Sequence, residues 1–304
     1  MLIFIKALGV SSIMRELDTV LHIIFTMDCE RIRKFSPPGG PESWELSERA
    51  IKGYVRILLE YDMKCTFFIV PETARRHREL FHEISDYGFE LGMHYHPQSF
   101  LDGKYTKYLG EYNYEEQLEQ LSQALNYWRN SIGFRPYSFR PGNASSNEYT
   151  YRVLHKLGFR QTSTYIPKRN MPRLHAVYMD ANPYPHHVGE MDILEVPITS
   201  DIRVSPPTNK DPPHLRIEWG EEGALKEVVD FWIGHLVQRK IPVKSVVVIT
   251  HNFIDYSNEN LEYTIRLRRL IRYILERVRY YDLHPVSLTI EELHRIVDEL
   301  GVNI

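Results

Sequence analysis

Short apolar runs alternate with helix-length amphipathic segments along nearly all of this 304-residue chain, and that alternation restricts the fold more than any single motif. Residues 20–26 are short, apolar and rich in Ile and Phe, as a strand buried on both faces requires. Residues 47–61 follow with Ile51, Tyr54, Val55, Leu58 and Leu59 at helical spacing. The pattern predicts further strands over 66–70, 89–93, 137–139, 161–165, 192–196, 245–250 and 285–288. It predicts helices over 71–87, 114–132, 146–157, 223–239, 258–280 and 290–300. Pro71 opens one helix, and Gly88, Gly133 and Gly158 close helices, the usual proline-start and glycine-stop asymmetry. Residues 166–190 are irregular, and 201–221, with Pro206-Pro207 and Pro212-Pro213, read as a long insertion loop of the functional or mobile kind. About seven or eight strand–helix units imply parallel strands closed as a barrel. One domain spanning 1–304, with a core of about 20–300, accounts for the chain.

Composition excludes several classes. Hydrophobic residues at 43% supply a sizeable core, and a net charge of −3 offers no electrostatic case for nucleic acid. No run approaches the ~20 apolar residues of a membrane span, so no membrane partner is expected. A homo-oligomer is left open. Residues 1–14 are apolar but lack a basic leading region and a small-residue cleavage site, and Lys6 interrupts them. The chain therefore reads as cytoplasmic, starting at Met1 or Met14. Two cysteines, Cys29 and Cys65, are too few for a disulfide framework or a four-thiolate zinc site.

Polar motifs stand where the apolar runs stop. They are Phe25-Thr26-Met27-Asp28-Cys29-Glu30, Gly92-Met93-His94-Tyr95-His96-Pro97, Phe139-Arg140-Pro141-Gly142 and Ile249-Thr250-His251-Asn252. In a parallel barrel, sites gather at the C-terminal ends of the strands. Any one of these residues alone is usually a cap, an ion pair or a satisfied polar group. Four strand ends carrying complementary chemistry make a joint site the stronger reading. Asp28 and Glu30 are two apart, so on an extended chain both carboxylates share a face and Cys29 takes the other. His94 and His96 have the same spacing. Two imidazoles and one carboxylate would hold a metal while leaving positions open for water and substrate. His186-His187, adjacent on an extended chain, point apart and do not ligate jointly.

With these motifs the chain resembles the polysaccharide deacetylases (NodB homology, carbohydrate esterase family 4). That resemblance runs from Thr26 to about Leu288. It implies a distorted (β/α)7 barrel and a first motif T-F-D-D supplying base and metal ligand. It also implies a second motif H-x-x-x-H-P supplying two His ligands, an R-P segment lining the groove, and a late catalytic His. Carried onto this chain, Asp28 is the base, Arg140 the residue that orients it, and His251 the acid. Glu30, His94 and His96 are the ligands of a divalent metal, with Zn2+ the expected ion. Pro141 lines the groove. Cys29 replaces the family's second Asp, which makes Glu30 the substitute ligand. The second motif is shortened to His94-Tyr95-His96, leaving open whether one His binds metal or both; Pro97, in its place beside the second His, favours both. The family's fourth motif has no clear copy, and Glu195 is the nearest acidic candidate to orient Arg140.

The resemblance further implies hydrolysis of an amide carbon–nitrogen bond, foremost N-deacetylation of an N-acetylated sugar or glycan precursor. Tyr95, Tyr105, Tyr108 and Trp219 could offer stacking faces for sugar rings, although with 20 tyrosines in the chain ordinary packing is the favoured reading. The alternatives are an allantoinase-like hydrolysis of a cyclic ureide, with or without metal, and a non-catalytic carbohydrate-binding relative.

Overall fold

The computed structural model describes residues 19–36 and 39–300, so the expectations for residues 1–14 lie outside them. Among the described residues, nine strands form one curled sheet. Its longest strand is β1 (Val20–Cys29), which pairs with three others. Next along one side come β2 (Cys65–Ile69), β3 (Glu90–Tyr95), β4 (Ser138–Pro141) and β5 (Gln161–Thr162), each parallel to its neighbour. A short hairpin, β6 (Asn170–Met171) with β7 (Ala176–Val177), stands apart. The edge is completed by β8 (His186–His187), antiparallel to β9 (Leu194–Glu195), which pairs with β5. On the other side of β1 lies β10 (Ser245–His251), while β11 (His284–Ser287) pairs with the first residues of β1.

Outside the sheet pack α1 (Trp44–Glu60), α2 (Pro71–Arg76), α3 (Arg78–Asp86), α4 (Tyr114–Ile132), α5 (Thr150–Lys156), α6 (Glu222–Gln238) and α7 (Glu262–Tyr280). The last helix, α8 (Ile290–Leu300), instead contributes Ile290, Leu293 and Val297 to the apolar interior of the curl. The gap between β9 and β10 is closed without a strand. Leu215 donates its N–H to Thr199 O (2.9 Å), and Ile217 N and Ile249 N bond across to Ile249 O and Leu215 O (3.1 and 2.9 Å). The result is the distorted β/α barrel expected above. The stretch 201–221, read as an insertion loop, therefore ends as the piece that closes it.

Two-residue alternation sorts the core. On β1, Leu21, Ile23, Phe25, Met27 and Cys29 face the helix layer, as do Phe67 and Ile69 on β2, Met93 and Tyr95 on β3, Phe139 on β4 and Val246 and Val248 on β10. The opposite parity faces the interior: Ile24, Phe68, Val247 and Ile249 belong to a second cluster with Leu194, Val196 and Ile198. Extending that parity to the strand ends sends Asp28, His94, Arg140 and His251 inward together. Trp128, fully buried on α4, locks helix to sheet by donating Nε1–H to Ile69 O at 3.1 Å. That helix starts at an Asn113/Glu116 capping box and stops at Gly133, whose φ of 97° favours glycine.

Several boundaries move from the expected ones. β1 runs to Cys29 because β2 and β10 flank it on both sides as far as Asp28. The helix expected over 71–87 is two, broken at His77 (φ −111°), whose Nε2 hydrogen-bonds Ser47 Oγ at 3.1 Å. Asn147 takes the N–H of Tyr149 and bonds Thr150, delaying α5 to Thr150. The strands expected over 161–165 and 192–196 shorten to two residues each, as the chain there turns into side-chain hydrogen bonds.

His22 on β1 is buried beside Lys244, and burial first, then that charge, lowers its pKa from 6.5 to about 4. The folded state therefore binds fewer protons than the unfolded state below pH 6.5. Stability present above 6.5 is lost as pH falls towards 4, by about 3 kcal/mol for this group alone. Urea midpoints should fall between pH 7 and pH 4.5, and His22→Gln should flatten that fall; an identical slope in the variant would remove His22 as its source.

Candidate active site

At the C-terminal end of the barrel, strand parity delivers buried polar groups to one cleft. Asp28, Glu30, His94, His96, Arg140 and His251 line it and are all buried. Asp28 and His251 are directly paired across the β1–β10 ladder, and His94 and Arg140 across β3–β4, so the sheet register itself sets their spacing.

Arg140 fixes Asp28. Its Nη1 donates to Asp28 Oδ1 at 2.7 Å and to Thr26 Oγ1 at 3.0 Å. Its Nε and Nη2 donate to Ser163 O and Oγ at 3.0 and 2.8 Å, and the guanidinium sits 4.2 Å from the Phe68 ring centre. Burial alone would raise the Asp28 pKa; Arg140, then His94 and His251, overcome it and hold the carboxyl below its usual value. Asp28 is therefore an anion with one oxygen committed to Arg140. The other, Oδ2, lies 3.7 Å from His94 Nε2 and 3.8 Å from His251 Nε2.

Glu30 has different partners. Its Oε1 lies 2.7 Å from His96 Nε2 and 3.3 Å from His94 Nε2, and Ser36 Oγ donates to Oε2 at 3.2 Å. Against the cost of burial, His96 and His94 hold its pKa well below the ordinary value. His94 donates Nδ1–H to the Arg140 carbonyl at 2.8 Å, which leaves Nε2 turned towards both carboxylates. Burial would lower the His94 pKa, but Asp28 and Glu30 raise it. The backbone of Glu30 lies just past the ladder. Asn252 holds it with Oδ1 accepting from Glu30 N at 2.9 Å and Nδ2 donating to Glu30 O at 3.0 Å and Ser47 Oγ at 2.8 Å. Gly142 lies against His96; a Cβ there would fall 2.3 Å from the ring Nδ1, so the R-P-G motif needs its glycine for close approach.

His251 is oriented by a residue the sequence reading passed over. Its Nδ1–H donates to Glu218 Oε1 at 2.5 Å, turning Nε2 into the cleft. The Glu218 side chain is 3% exposed, and Arg216 Nε donates to the same oxygen at 2.8 Å. Burial opposes ionisation, yet Arg216 and His251 hold the Glu218 pKa at about 2. Arg216-Ile217-Glu218 carried a signal, since residues two apart on an extended chain share a face. It lay within the stretch read as a loop.

Three expected residues fall elsewhere. Glu195 does not orient Arg140. It is fully buried, accepts from Thr164 N and Tyr165 N at 2.9 and 2.8 Å and from the Tyr151 and Thr162 hydroxyls, while Ser163 occupies the far side of Arg140. Tyr95 cannot stack on a substrate: its parity sends it into the helix layer, fully buried, with its hydroxyl on Gln120 at 2.9 Å. Trp219 lies outside the cleft lining, 45% exposed against His214 and Arg216, whereas Pro141 does line the cleft. Arg140→Leu should cost about 3–5 kcal/mol, because it strands the buried Asp28 charge. Urea unfolding measures this, and a loss under 1 kcal/mol would show that Asp28 does not depend on Arg140 for its charge.

The family model for polysaccharide deacetylase matches residues 33–162. No curated protein matches the chain. Among solved structures, the chain is similar to a probable polysaccharide deacetylase from Pseudomonas aeruginosa PAO1, with TM-score 0.61 and 14% identity, over 93% of this chain and 92% of that one. It is similar to the same degree, TM-score 0.61 and 14% identity, to Puue allantoinase, over 93% of this chain and 91% of that one. At such identities the likeness establishes the fold. Residues 33–162 thus match the polysaccharide deacetylase model, and the chain as a whole shares the distorted β/α barrel of these structures.

Proposed function

We propose that the protein is a metal-dependent hydrolase of amide carbon–nitrogen bonds that removes the acetyl group from an N-acetylated sugar or glycan precursor. The family match supports a hydrolase of the deacetylase class. One observation carries the finer reading: two carboxylates two residues apart face the same His94 nitrogen yet keep separate partners, Asp28 with Arg140 and Glu30 with His96. That division matches one carboxylate free to move a proton and one free to ligate.

The donor set suits a divalent ion. Glu30, His94 and His96 offer atoms within 4.8 Å of one another. With the His94 Nδ1–H spent on a carbonyl, a ring lone pair and carboxylate oxygens converge, an arrangement that needs a cation or a proton between them. Two imidazoles and a carboxylate are a Zn2+ ligand set with positions left open. When bound, such an ion polarises the acyl carbonyl and lowers the pKa of water from ~15.7 towards ~7.

The rest falls to the protein's own groups. Asp28, kept ionised by Arg140, takes the proton of the attacking water on Oδ2. His251, with Nδ1 committed to Glu218, presents Nε2 to the cleft and delivers a proton to the leaving nitrogen. The ionised Glu218, by accepting that Nδ1–H, fixes the ring in the orientation the transfer requires. The bond broken is the amide C–N bond, and the products are acetate and the free amine.

Asp28→Asn should lower turnover at least ~10²-fold with metal retained, whereas Glu30→Ala and His94→Ala should lose metal and turnover together. The assay measures zinc content alongside acetate and ammonia release from N-acetyl sugars and from cyclic ureides. Wild-type activity in Asp28→Asn sinks the base assignment. Ring opening of ureides without acetate from any sugar replaces the deacetylase reading with an allantoinase-like one, and no turnover of either class leaves a carbohydrate-binding protein. Gly142→Ala probes His96 separately: the displaced ring should weaken zinc binding about 10–100-fold while the far-UV circular dichroism stays unchanged.

A further inference from the structure

A second group of ligating side chains lies away from the cleft, where β8 and β9 meet α8. His294 and Asp298 stand one helical turn apart on α8, with His294 Nε2 3.4 Å from Asp298 Oδ1. His187 on β8 faces them, its ring centre 5.7 Å from that of His294. His187, His294 and Asp298 each offer an atom, and the three atoms lie within 4.8 Å of one another. Asp192 Oδ1 is 4.0 Å from the same His294 Nε2. We propose that His187, His294 and Asp298, with Asp192 in reach as a fourth ligand, form a structural Zn2+ site that fastens the C-terminal helix to the antiparallel edge of the sheet.

His294 makes the argument. Its side chain is 4% exposed, and its Nε2 is buried without a hydrogen-bond partner. Buried polar atoms are normally satisfied, so an orphan nitrogen among two carboxylates and an imidazole asks for a partner. The other ring nitrogen, Nδ1, bonds Gln161 Oε1 at 3.0 Å, the outer contact that usually fixes a ligating His with Nε2 free. Zinc bond lengths near 2.0–2.2 Å place tetrahedral ligand atoms about 3.3 Å apart, close to the 3.4 Å between His294 Nε2 and Asp298 Oδ1. Arg160 also reaches the cluster, but it touches Asp298 through Oδ2 at 3.4 Å and leaves Oδ1 to face His294. Its 3.1 Å contact with Asp192 Oδ1 is half-exposed and therefore weak to displace. His187 is only half-buried on a two-residue edge strand, so its ring has room to close the remaining distance. Its neighbour His186 points away and stacks on Tyr165, which is why adjacent histidines act separately here.

The site is independent of the catalytic reading, and one measurement separates them. The purified full chain is equilibrated with Zn2+ alone, dialysed, and its zinc-to-protein ratio determined. The wild type should hold two zinc ions per chain; His187→Ala and Asp298→Asn should each hold one, with hydrolysis unchanged. Glu30→Ala should hold one with hydrolysis lost, and its Tm should still rise on adding zinc, a rise that vanishes when His187→Ala is added. If zinc content stays at the wild-type ratio in both His187→Ala and Asp298→Asn, the proposal is overturned. If instead the wild type holds a single zinc that disappears in those two variants and survives Glu30→Ala, the peripheral site stands and the active-site metal falls.

Discussion

Everything at the mouth of this barrel follows from one constraint, the two-residue alternation of parallel strands whose outer face must pack on helices. Once Phe25, Met27 and Cys29 are committed to the helix layer, Asp28 has no direction left but inward. The same commitment by Met93, Phe139 and Val248 sends His94, Arg140 and His251 to meet it. A one-residue slip of any of these strands would exchange core for site, so the apolar packing that stabilises the domain also enforces the geometry of its polar cleft.

Gathering these charges in a buried place is costly. Desolvation opposes the ionised forms of Asp28, Glu30 and Glu218 alike, and each is kept ionised by a dedicated basic partner: Arg140, the His94/His96 pair, and Arg216 with His251. Buried pairs of this kind seldom repay their desolvation in stability when compared with a well-packed apolar core. Their placement is better understood as positioning. Arg140 spends its donors on Asp28, Thr26 and Ser163, so the carboxylate can neither rotate nor change partner freely.

Much of this was legible in the residues. The strand–helix alternation located the barrel, and the i, i+2 spacing of Asp28/Glu30 and of His94/His96 correctly put each pair on one face. The misreadings share a cause. The ring of Tyr95 suggests a stacking face, yet Tyr95 alternates with His94 and His96 and therefore points into the helix layer. Glu195 has the charge to orient Arg140, whereas the link is made by Ser163, an ordinary residue with nothing to mark it in the sequence. Glu218 is hard to read because its alternation with Arg216 spans only three residues of a proline-rich stretch, which closes the barrel between β9 and β10 through isolated backbone hydrogen bonds. Local sequence encodes which way a side chain points; it does not encode which distant backbone will arrive opposite.

Asn252 carries a consequence of its own. Glu30 lies one residue beyond the end of β1, where a strand end would ordinarily be the loosest point of the cleft. Asn252 instead offers Glu30 one carbonyl and one amide N–H, the two groups that a further strand residue would have presented. A side chain thus counterfeits a rung of sheet. Only an amide of this length can do so, since a carboxylate lacks the donor and a longer amide overshoots. The stiffness of the last rung, and with it the placement of the Glu30 carboxylate, is therefore written into a single side chain just past the end of a different strand.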